Sequence, residues 1–153
     1  AGQVGKLLTN SGLTLSLAES CTGGMIAQML TSQPGASAFL ERAAVTYADS
    51  AKLDWLDISP DVLRLHGAVS EACARAMVRG IRQAADTDLS LAVTGVAGPD
   101  GGTPDKPVGT VFLALAAEDV EQVQKYHFNG DRNQVQLMTA HMGLEWLRRY
   151  IIG

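Results

Sequence analysis

The chain has 153 residues, a length that suits one compact domain over 1–153 with a hydrophobic core of its own. Apolar residues make up 46% of the sequence and aromatic residues only 5%, a composition typical of helices packed on a sheet and unlike that of a disordered chain. The net charge is −4, with no basic block and no apolar run of the roughly 20 residues that a membrane span needs, so neither a nucleic acid nor a membrane is an expected partner.

The first half of the chain is predicted to alternate helices and strands. Apolar residues that alternate with polar ones, as in Leu13-Thr14-Leu15-Ser16-Leu17, are typical of a strand, and Ser59-Pro60 has the residues of a helix start. The predicted elements of this half are a helix over 3–10, a strand over 13–17, a helix from Met25 that ends at Gln33-Pro34-Gly35, a strand over 43–47, a helix over 49–55 and a helix from Ser59-Pro60.

The second half is predicted to contain a long helix, three strands and a C-terminal helix. The continuous apolar run from Leu89 to Thr94 is typical of a strand buried on both faces, and Asp131 has the residue type of a helix N-cap. The predicted elements are a helix from Ser70-Glu71, strands over 89–94, 108–116 and 120–128 with a turn at Glu118-Asp119, and a helix after Asp131 whose inner residues are Val135, Leu137, Met138, Met142, Leu144 and Ile151.

This order of elements predicts an α/β fold, a three-layer α/β/α sandwich. Its sheet of about five strands is expected to be mixed and mainly parallel, with one antiparallel strand. Ligands of such sheets bind beyond the carboxyl ends of the strands. The segments 18–24 and 95–107 both follow a strand's carboxyl end, so we expect them to converge on one crevice.

The turn Glu19-Ser20-Cys21-Thr22-Gly23-Gly24 has the residues of an anion-binding site or of a nucleophile. Backbone N–H groups between a strand and a helix can hold a phosphate or a developing oxyanion, and Gly23 and Gly24 allow a ligand close to the backbone. The commoner role of Ser20 or Thr22 at this place is a helix N-cap, so the turn alone leaves both interpretations open. Cys21 is a rival nucleophile because helix N-termini lower thiol pKa values, but no histidine partner is evident.

Lys52 follows the predicted strand 43–47 closely and is a candidate general base. A buried lysine with a lowered pKa can deprotonate a serine, whereas an ordinary lysine is solvated on the surface. Tyr47 ends the same strand, and its hydroxyl needs a partner that is either structural or part of a site.

The segment from Gly95 to Pro107 is unusually long and rich in glycine and proline for a connection between two buried strands. Long loops of this kind are often functional, although a wide turn is an equally ordinary explanation. Thr94 stands where the preceding strand enters this loop. Arg132, after another strand, could clamp a phosphate or carboxylate, or be a solvated residue of a helix capped by Asp131.

Neither the cysteines nor the histidines have the spacing of a metal site. Cys21 and Cys73 are too far apart in sequence to indicate a disulfide framework or a zinc site, and a reducing, cytoplasmic location is expected. His66, His127 and His141 are widely separated, so no metal is expected and Lys52 is the best candidate for a base.

Six segments in one order resemble the CinA C-terminal domain family, whose stand-alone members are called PncC. The segments are Ala18-Glu19-Ser20-Cys21-Thr22-Gly23-Gly24, Val45-Thr46-Tyr47 with Lys52, His66-Gly67-Ala68-Val69-Ser70, Thr94-Gly95-Val96-Ala97-Gly98-Pro99-Asp100-Gly101-Gly102, Lys106-Pro107-Val108-Gly109-Thr110 and Gly130-Asp131-Arg132. The resemblance implies a nicotinamide-nucleotide amidase, which hydrolyses nicotinamide mononucleotide to nicotinate mononucleotide and ammonia in pyridine-nucleotide salvage. It also implies a three-layer sandwich and a homodimer, and it requires no cofactor.

By the same resemblance, Ser20 is the nucleophile, and Tyr47, Lys52, Thr94 and Arg132 lie near the site. Our hypothesis is that Lys52, assisted by Tyr47, accepts the proton of Ser20. Either Thr22, Gly23 and Gly24 or the loop with Gly95 and Ala97 would hold the substrate phosphate together with Arg132. The alternatives are a non-catalytic nucleotide-binding or regulatory module that uses the same turns, and a hydrolase that acts on phosphate esters.

Overall fold

A computed structural model describes the whole chain from Ala1 to Gly153. It contains six α-helices, a single 3₁₀ turn at Ala36–Ala38 and five β-strands. In chain order these are α1 (Gly2–Ser11), β1 (Leu15–Glu19), α2 (Met25–Thr31), β2 (Leu40–Val45), α3 (Asp49–Leu56), α4 (Pro60–His66), α5 (Glu71–Ala85), β3 (Leu89–Gly95), β4 (Thr110–Ala116), β5 (Glu121–His127) and α6 (Arg132–Ile152).

The five strands form one sheet in the order β2-β1-β3-β4-β5. β1 is parallel to both β2 and β3, whereas β4 is antiparallel to both of its neighbours. Four strands therefore run in one direction and β4 alone runs in the other. The predicted mixed, mainly parallel sheet with one antiparallel strand is confirmed.

Helices cover both faces of the sheet and make the predicted three-layer sandwich. α1, α2 and α6 pack together on one face, and α5 lies on the other face, across β1, β3 and β4. α3 and α4 pack against α5 on that second face. Each face has its own apolar cluster, so we name the two faces the α6 face and the α5 face. No helix is long and apolar enough to cross a bilayer.

The strand β1 is more deeply buried than its alternating sequence predicts. It begins at Leu15 instead of Leu13, and all of its residues are buried. Its polar residue Ser16 is accommodated because its hydroxyl lies 2.7 Å from the hydroxyl of Thr87, which is also buried. A side-chain hydrogen bond of this kind removes the cost of burying a hydroxyl between two helical layers.

Other differences from the sequence predictions lie at element ends. β2 spans Leu40–Val45 instead of 43–47, and β4 begins at Thr110 instead of 108. The turn at Glu118-Asp119 and the Asp131 cap are confirmed; the cap is a full capping box with Gln134. The prediction that Leu137 faces inward is wrong, because it is 44% exposed. In α6 the buried face is set instead by Val135, Thr139 and other residues of that helical stripe.

Four of the segments that follow strands begin at the same edge of the sheet. β1, β2, β3 and β5 all run the same way, so the segments that follow them begin at the same side of the sheet. These segments are the serine turn (residues 20–24), the residues 46–48, the long loop (residues 96–109) and the residues 128–131. The first and third of these segments follow adjacent parallel strands and therefore begin side by side at this edge, as the sequence predicts.

Candidate active site

Ser20 and Cys21 leave the end of β1 on opposite faces of the sheet. Side chains alternate along a strand, and Ala18 belongs to the apolar cluster of the α5 face whereas Leu17 belongs to that of the α6 face. Ser20 continues the row of Ala18, and its Oγ meets Lys52 on the α5 face. Cys21 is buried in the cluster of the α6 face. The two candidate nucleophiles therefore occupy separate environments.

The thiol of Cys21 is a poor nucleophile in this environment. Burial is the main cause that raises the pKa of Cys21 to about 12, and the nearby Glu19 adds to the increase. A thiol with such a pKa is protonated near neutral pH and does not attack. The rival interpretation of Cys21 as nucleophile loses its physical basis, and Ser20 is the remaining candidate in the turn.

Lys52 is fully buried and has no acidic partner. It is 1% exposed, projects from α3 and forms no ion pair. Its Nζ lies 2.7 Å from the carbonyl oxygen of Thr46, 3.2 Å from that of Tyr47 and 3.3 Å from Ser20 Oγ. Burial lowers the pKa of Lys52 below its ordinary value, although Cys73, Asp49 and Cys21 oppose the shift.

The three contacts of Lys52 can be made by an ammonium, which donates to all three oxygens, or by a neutral amine, which can accept from the hydroxyl of Ser20. Such an amine has two N–H donors and one lone pair, whereas an ammonium has three donors and none to accept with. The carbonyl groups of Thr46 and Tyr47 can accept both N–H groups, which leaves the lone pair for the hydroxyl proton of Ser20. The arrangement can therefore remove a proton from Ser20, as a general base must.

Glu19 holds the serine turn against the start of α2. Its carboxylate is 1% exposed, accepts the hydroxyl of Thr22 at 2.6 Å, and accepts the N–H groups of Ile26 and Ala27 at 3.1 and 2.8 Å. The positive end of a helix dipole stabilises a carboxylate placed there. Glu19 thus performs the capping function that the sequence suggested for Ser20 or Thr22, and the first-turn N–H groups of α2 are not free for a phosphate.

The serine turn has backbone N–H groups that are not used in hydrogen bonds to the backbone. The N–H groups of Cys21, Thr22 and Gly24 form no hydrogen bond to a backbone carbonyl. Gly23 and Gly24 have φ values of 61° and 97°, a left-handed backbone that favours glycine. The N–H of Gly23 is bonded to the carbonyl oxygen of Ser20, so Cys21 and Thr22 are the consecutive pair whose N–H groups can be offered to an anion or an oxyanion.

Tyr47 and Arg132 bridge the mouth of the site. The guanidinium of Arg132 donates to the hydroxyl of Tyr47 at 2.7 Å and to the carbonyl oxygen of Gly98, in the long loop, at 2.6 Å. The hydroxyl of Tyr47 makes no hydrogen bond to Ser20 or Lys52, so the carbonyl oxygen of Tyr47 supplies its one hydrogen bond to Lys52. Arg132 forms no ion pair, and its other N–H groups can take up an anion.

Three other predicted binding residues have structural contacts. The hydroxyl of Thr94 is buried and donates to the carbonyl oxygen of Ala68 at 2.8 Å. Gly95 lies so close to β4 that a Cβ there would be 2.7 Å from the carbonyl oxygen of Thr110. Ala97 is 5% exposed and belongs to the core of the α6 face. These three residues shape the long loop, and the one polar side-chain group among them, the hydroxyl of Thr94, already has a partner.

Sequence reasoning did not assign roles to Gln136, Lys106 or Glu19. The side-chain amide of Gln136 donates to the carbonyl oxygen of Cys21 at 2.8 Å, and Lys106 Nζ donates to the carbonyl oxygen of His66 at 3.0 Å. Gln136 could have been found from its position four residues after Arg132, which places both on one face of α6. For Glu19 the available signal was an acidic residue at the end of an apolar strand, and for Lys106 we find none.

Comparison with known proteins gives one family over almost the whole chain. The family model of the CinA C-terminal domain matches residues 1–151. A CinA-like protein from Syntrophotalea carbinolica is 67% identical over 151 residues, which are 99% of this chain and 37% of that protein. A CinA-like protein from Geobacter metallireducens is 52% identical over 98% of this chain and 36% of that protein. The chain thus spans little more than a third of the length of these relatives.

Solved structures of similar proteins share the fold. The competence-damaged protein (CinA) superfamily protein of Klebsiella pneumoniae has a TM-score of 0.94 and 35% identity, covering 99% of this chain and 94% of that one. The CinA superfamily protein of Escherichia coli has a TM-score of 0.93 and 34% identity, covering 97% and 87%. The agreement of sequence, motif order and fold shows that this chain belongs to the CinA C-terminal domain family.

Proposed function

We propose that this domain is an amidohydrolase in which Ser20 attacks a carboxamide and Lys52 is the base, and that its substrate is nicotinamide mononucleotide. The observation that carries the proposal is the contact of 3.3 Å between Ser20 Oγ and a fully buried, unpaired lysine. An isolated buried ammonium is costly, so a lysine kept in this place serves best as a neutral amine.

Acylation would proceed by transfer of the Ser20 proton to the lone pair of Lys52. Ser20 Oγ forms a bond to the carboxamide carbon, and the electron pair of the carbonyl moves to its oxygen. Free N–H groups of the serine turn stabilise that oxyanion. The C–N bond then breaks, the protonated Lys52 returns its proton to the leaving nitrogen, and ammonia departs.

Deacylation repeats these steps with water in place of Ser20. Neutral Lys52 accepts a proton from water, whose oxygen attacks the acyl carbon, and the bond to Ser20 Oγ breaks as that oxygen regains a proton. The products are a carboxylate and free enzyme. A base with a lowered pKa suits both halves of the reaction, because it is neutral at lower pH than an ordinary lysine and, once protonated, gives its proton back more readily.

A substrate phosphate would bind at the mouth of the site to Arg132. This residue has unused guanidinium donors and stands at the first position of α6, fixed by Tyr47 and Gly98. An arginine with a planar fork is well suited to a phosphate. The choice of a mononucleotide follows the resemblance to nicotinamide-nucleotide amidases, which the six segments of the sequence carry.

The proposal is tested by incubating the protein with nicotinamide mononucleotide. We expect ammonia and nicotinate mononucleotide to appear in equal amounts, with the same yield in the presence of a metal chelator. The absence of turnover by a folded wild-type protein would contradict the proposal. If nicotinamide mononucleotide then still bound, and bound equally well to a Ser20→Ala variant, a non-catalytic nucleotide-binding module would be the better account.

A further inference from the structure

Thr46 has a buried hydroxyl without a hydrogen-bond partner. Its side chain is 0% exposed, and its Oγ1 is the only buried side-chain nitrogen or oxygen of the chain that has no partner. Every other buried hydroxyl of this protein is bonded, as those of Ser16, Thr94 and Thr139 are. A buried hydroxyl without a partner destabilises the folded state, so its presence calls for an explanation.

The backbone places the Thr46 side chain beside Ser20. The last pair of the β1–β2 ladder joins Glu19 to Val45, and the N–H of Thr46 continues it by donating to the carbonyl oxygen of Glu19 at 2.9 Å. Ala44 packs against the cluster of the α5 face, and alternation along β2 puts Thr46 on that face as well. Ser20 and Thr46 are therefore neighbours on adjacent strands, one position beyond the last pair.

Thr46 also contacts the base through its backbone. Its carbonyl oxygen accepts from Lys52 Nζ at 2.7 Å, the shortest contact that Lys52 makes. That backbone contact would be retained with any side chain at this position. The hydroxyl makes no hydrogen bond in the resting state, yet it lies on the face of the sheet where Ser20 contacts Lys52.

We propose that Thr46 is a positioning residue whose hydroxyl donates a hydrogen bond to Ser20 Oγ in the reacting state, a role that rests on Ser20 being the nucleophile. When Ser20 directs its proton to Lys52, the lone pairs of Ser20 Oγ are free to accept a bond. Thr46 keeps its own proton throughout. The bond holds Ser20 in the rotamer that faces Lys52 and stabilises the negative charge that develops on Oγ. Hydrogen bonds of this type tighten as the reaction proceeds.

The test compares Thr46→Val, which has nearly the same shape without the hydroxyl, with Thr46→Ser, which keeps the hydroxyl. The first readout is the rate constant for labelling of Ser20 by a fluorophosphonate, located by peptide mass spectrometry. The second is kcat and KM for ammonia release from nicotinamide mononucleotide, and the third is the unfolding midpoint. Thr139→Val is the matched control, since its buried hydroxyl donates to Val135 in the core of the α6 face.

For Thr46→Val we expect labelling and kcat to fall about ten-fold, with KM within about two-fold of wild type. Its unfolding midpoint should equal or exceed that of wild type, because no hydrogen bond is lost. Thr46→Ser should stay within about three-fold of wild type in both rates, and Thr139→Val should lower the midpoint with normal rates.

Labelling of Thr46→Val at the wild-type rate would overturn the proposal, as would a lower midpoint in this variant, which indicates a structural hydroxyl. A wild-type Ser20 that does not react with the probe would also overturn it. If labelling depends on Thr46 but nicotinamide mononucleotide is not hydrolysed, the substrate proposal fails and the role of Thr46 stands.

Discussion

Ser20 and Cys21 are adjacent in the chain, yet their side chains lie on opposite faces of the sheet, with Ser20 at Lys52 and Cys21 in the apolar core. Strand alternation alone produces this separation. It places the hydroxyl of Ser20 beside Lys52 and the thiol of Cys21 away from it, which supports the proposal that Ser20 is the nucleophile.

Replacement of Cys21 by alanine should leave the hydrolytic activity within about three-fold of wild type, because the thiol is buried and its pKa is raised to about 12. Treatment of the native protein with iodoacetamide should likewise leave ammonia release unchanged. The unfolding midpoint of Cys21→Ala should fall moderately, since a core side chain is shortened. Loss of activity on alkylation of Cys21 alone would contradict the assignment.

Lys52→Met should abolish activity while binding of the substrate is kept. We expect kcat to fall at least about a thousand-fold, because the general base is lost and the oxyanion site alone remains. The control is Lys6→Met, which changes an exposed lysine of α1. In the wild-type protein kcat/KM should rise with pH through an apparent pKa below that of an ordinary lysine, because only the neutral amine accepts a proton.

The stability of the wild-type protein should depend on pH through the same residue. The pKa of Lys52 is lower in the folded than in the unfolded state, so between these two values the unfolded state binds more protons. The free energy of unfolding therefore rises with pH across that window, and is lowest below the folded pKa. In denaturant titrations at several pH values, Lys52→Met should lack this rise. An equal rise in both proteins would show that other groups cause it.

Glu19→Gln should lower both the free energy of unfolding and the rate of hydrolysis. An amide cannot accept on both of its ends, so either Ala27 or Ile26 loses its acceptor, and the positive end of α2 loses its carboxylate. We expect a loss of about 2–4 kcal/mol in the free energy of unfolding and a reduced kcat. Glu145→Gln, at a surface carboxylate that also accepts several hydrogen bonds, should lower the free energy of unfolding much less than Glu19→Gln does.

Arg132→Met should weaken binding of the substrate phosphate and leave the hydrolytic step unchanged. We expect KM for nicotinamide mononucleotide to rise about ten-fold or more, whereas hydrolysis of the same nucleoside without its phosphate should be almost unchanged. Arg149→Met, at an exposed arginine near the end of α6, serves as the control. An equal loss on both substrates would show that Arg132 orders the long loop through Gly98 instead of binding phosphate.

The fold was largely predictable because long-range order in this chain follows from local pattern. The two-sided apolar strand at Leu89 and the order of helices and strands were enough for the sandwich and for the single antiparallel strand. Leu137 was misplaced because α6 is apolar on more than one side, and periodicity alone does not choose which stripe meets the sheet.

The sequence predicts which residues lie at the candidate site better than it predicts the hydrogen bonds between them. The sequence indicates Ser20 and Lys52 as a nucleophile and its base, with Tyr47 assisting them. In the structure the hydroxyl of Tyr47 accepts from Arg132 and bonds to neither Ser20 nor Lys52. The sequence favours Thr94 as a binding residue, and its hydroxyl donates to the carbonyl oxygen of Ala68, a contact that the sequence does not indicate. Sequence patterns indicate which edge of the sheet a residue reaches, and the partner of a hydroxyl depends on angles and distances that appear only in the packed chain.

The most direct measurement is mass spectrometry of the protein after rapid acid quenching during turnover of nicotinamide mononucleotide. We expect a peptide containing Ser20 that carries the acyl group of nicotinate mononucleotide. The Ser20→Ala variant should show no such acyl group and release no ammonia. Ammonia release by Ser20→Ala at a rate near that of wild type, or an acyl group found on another residue, would contradict Ser20 as the nucleophile.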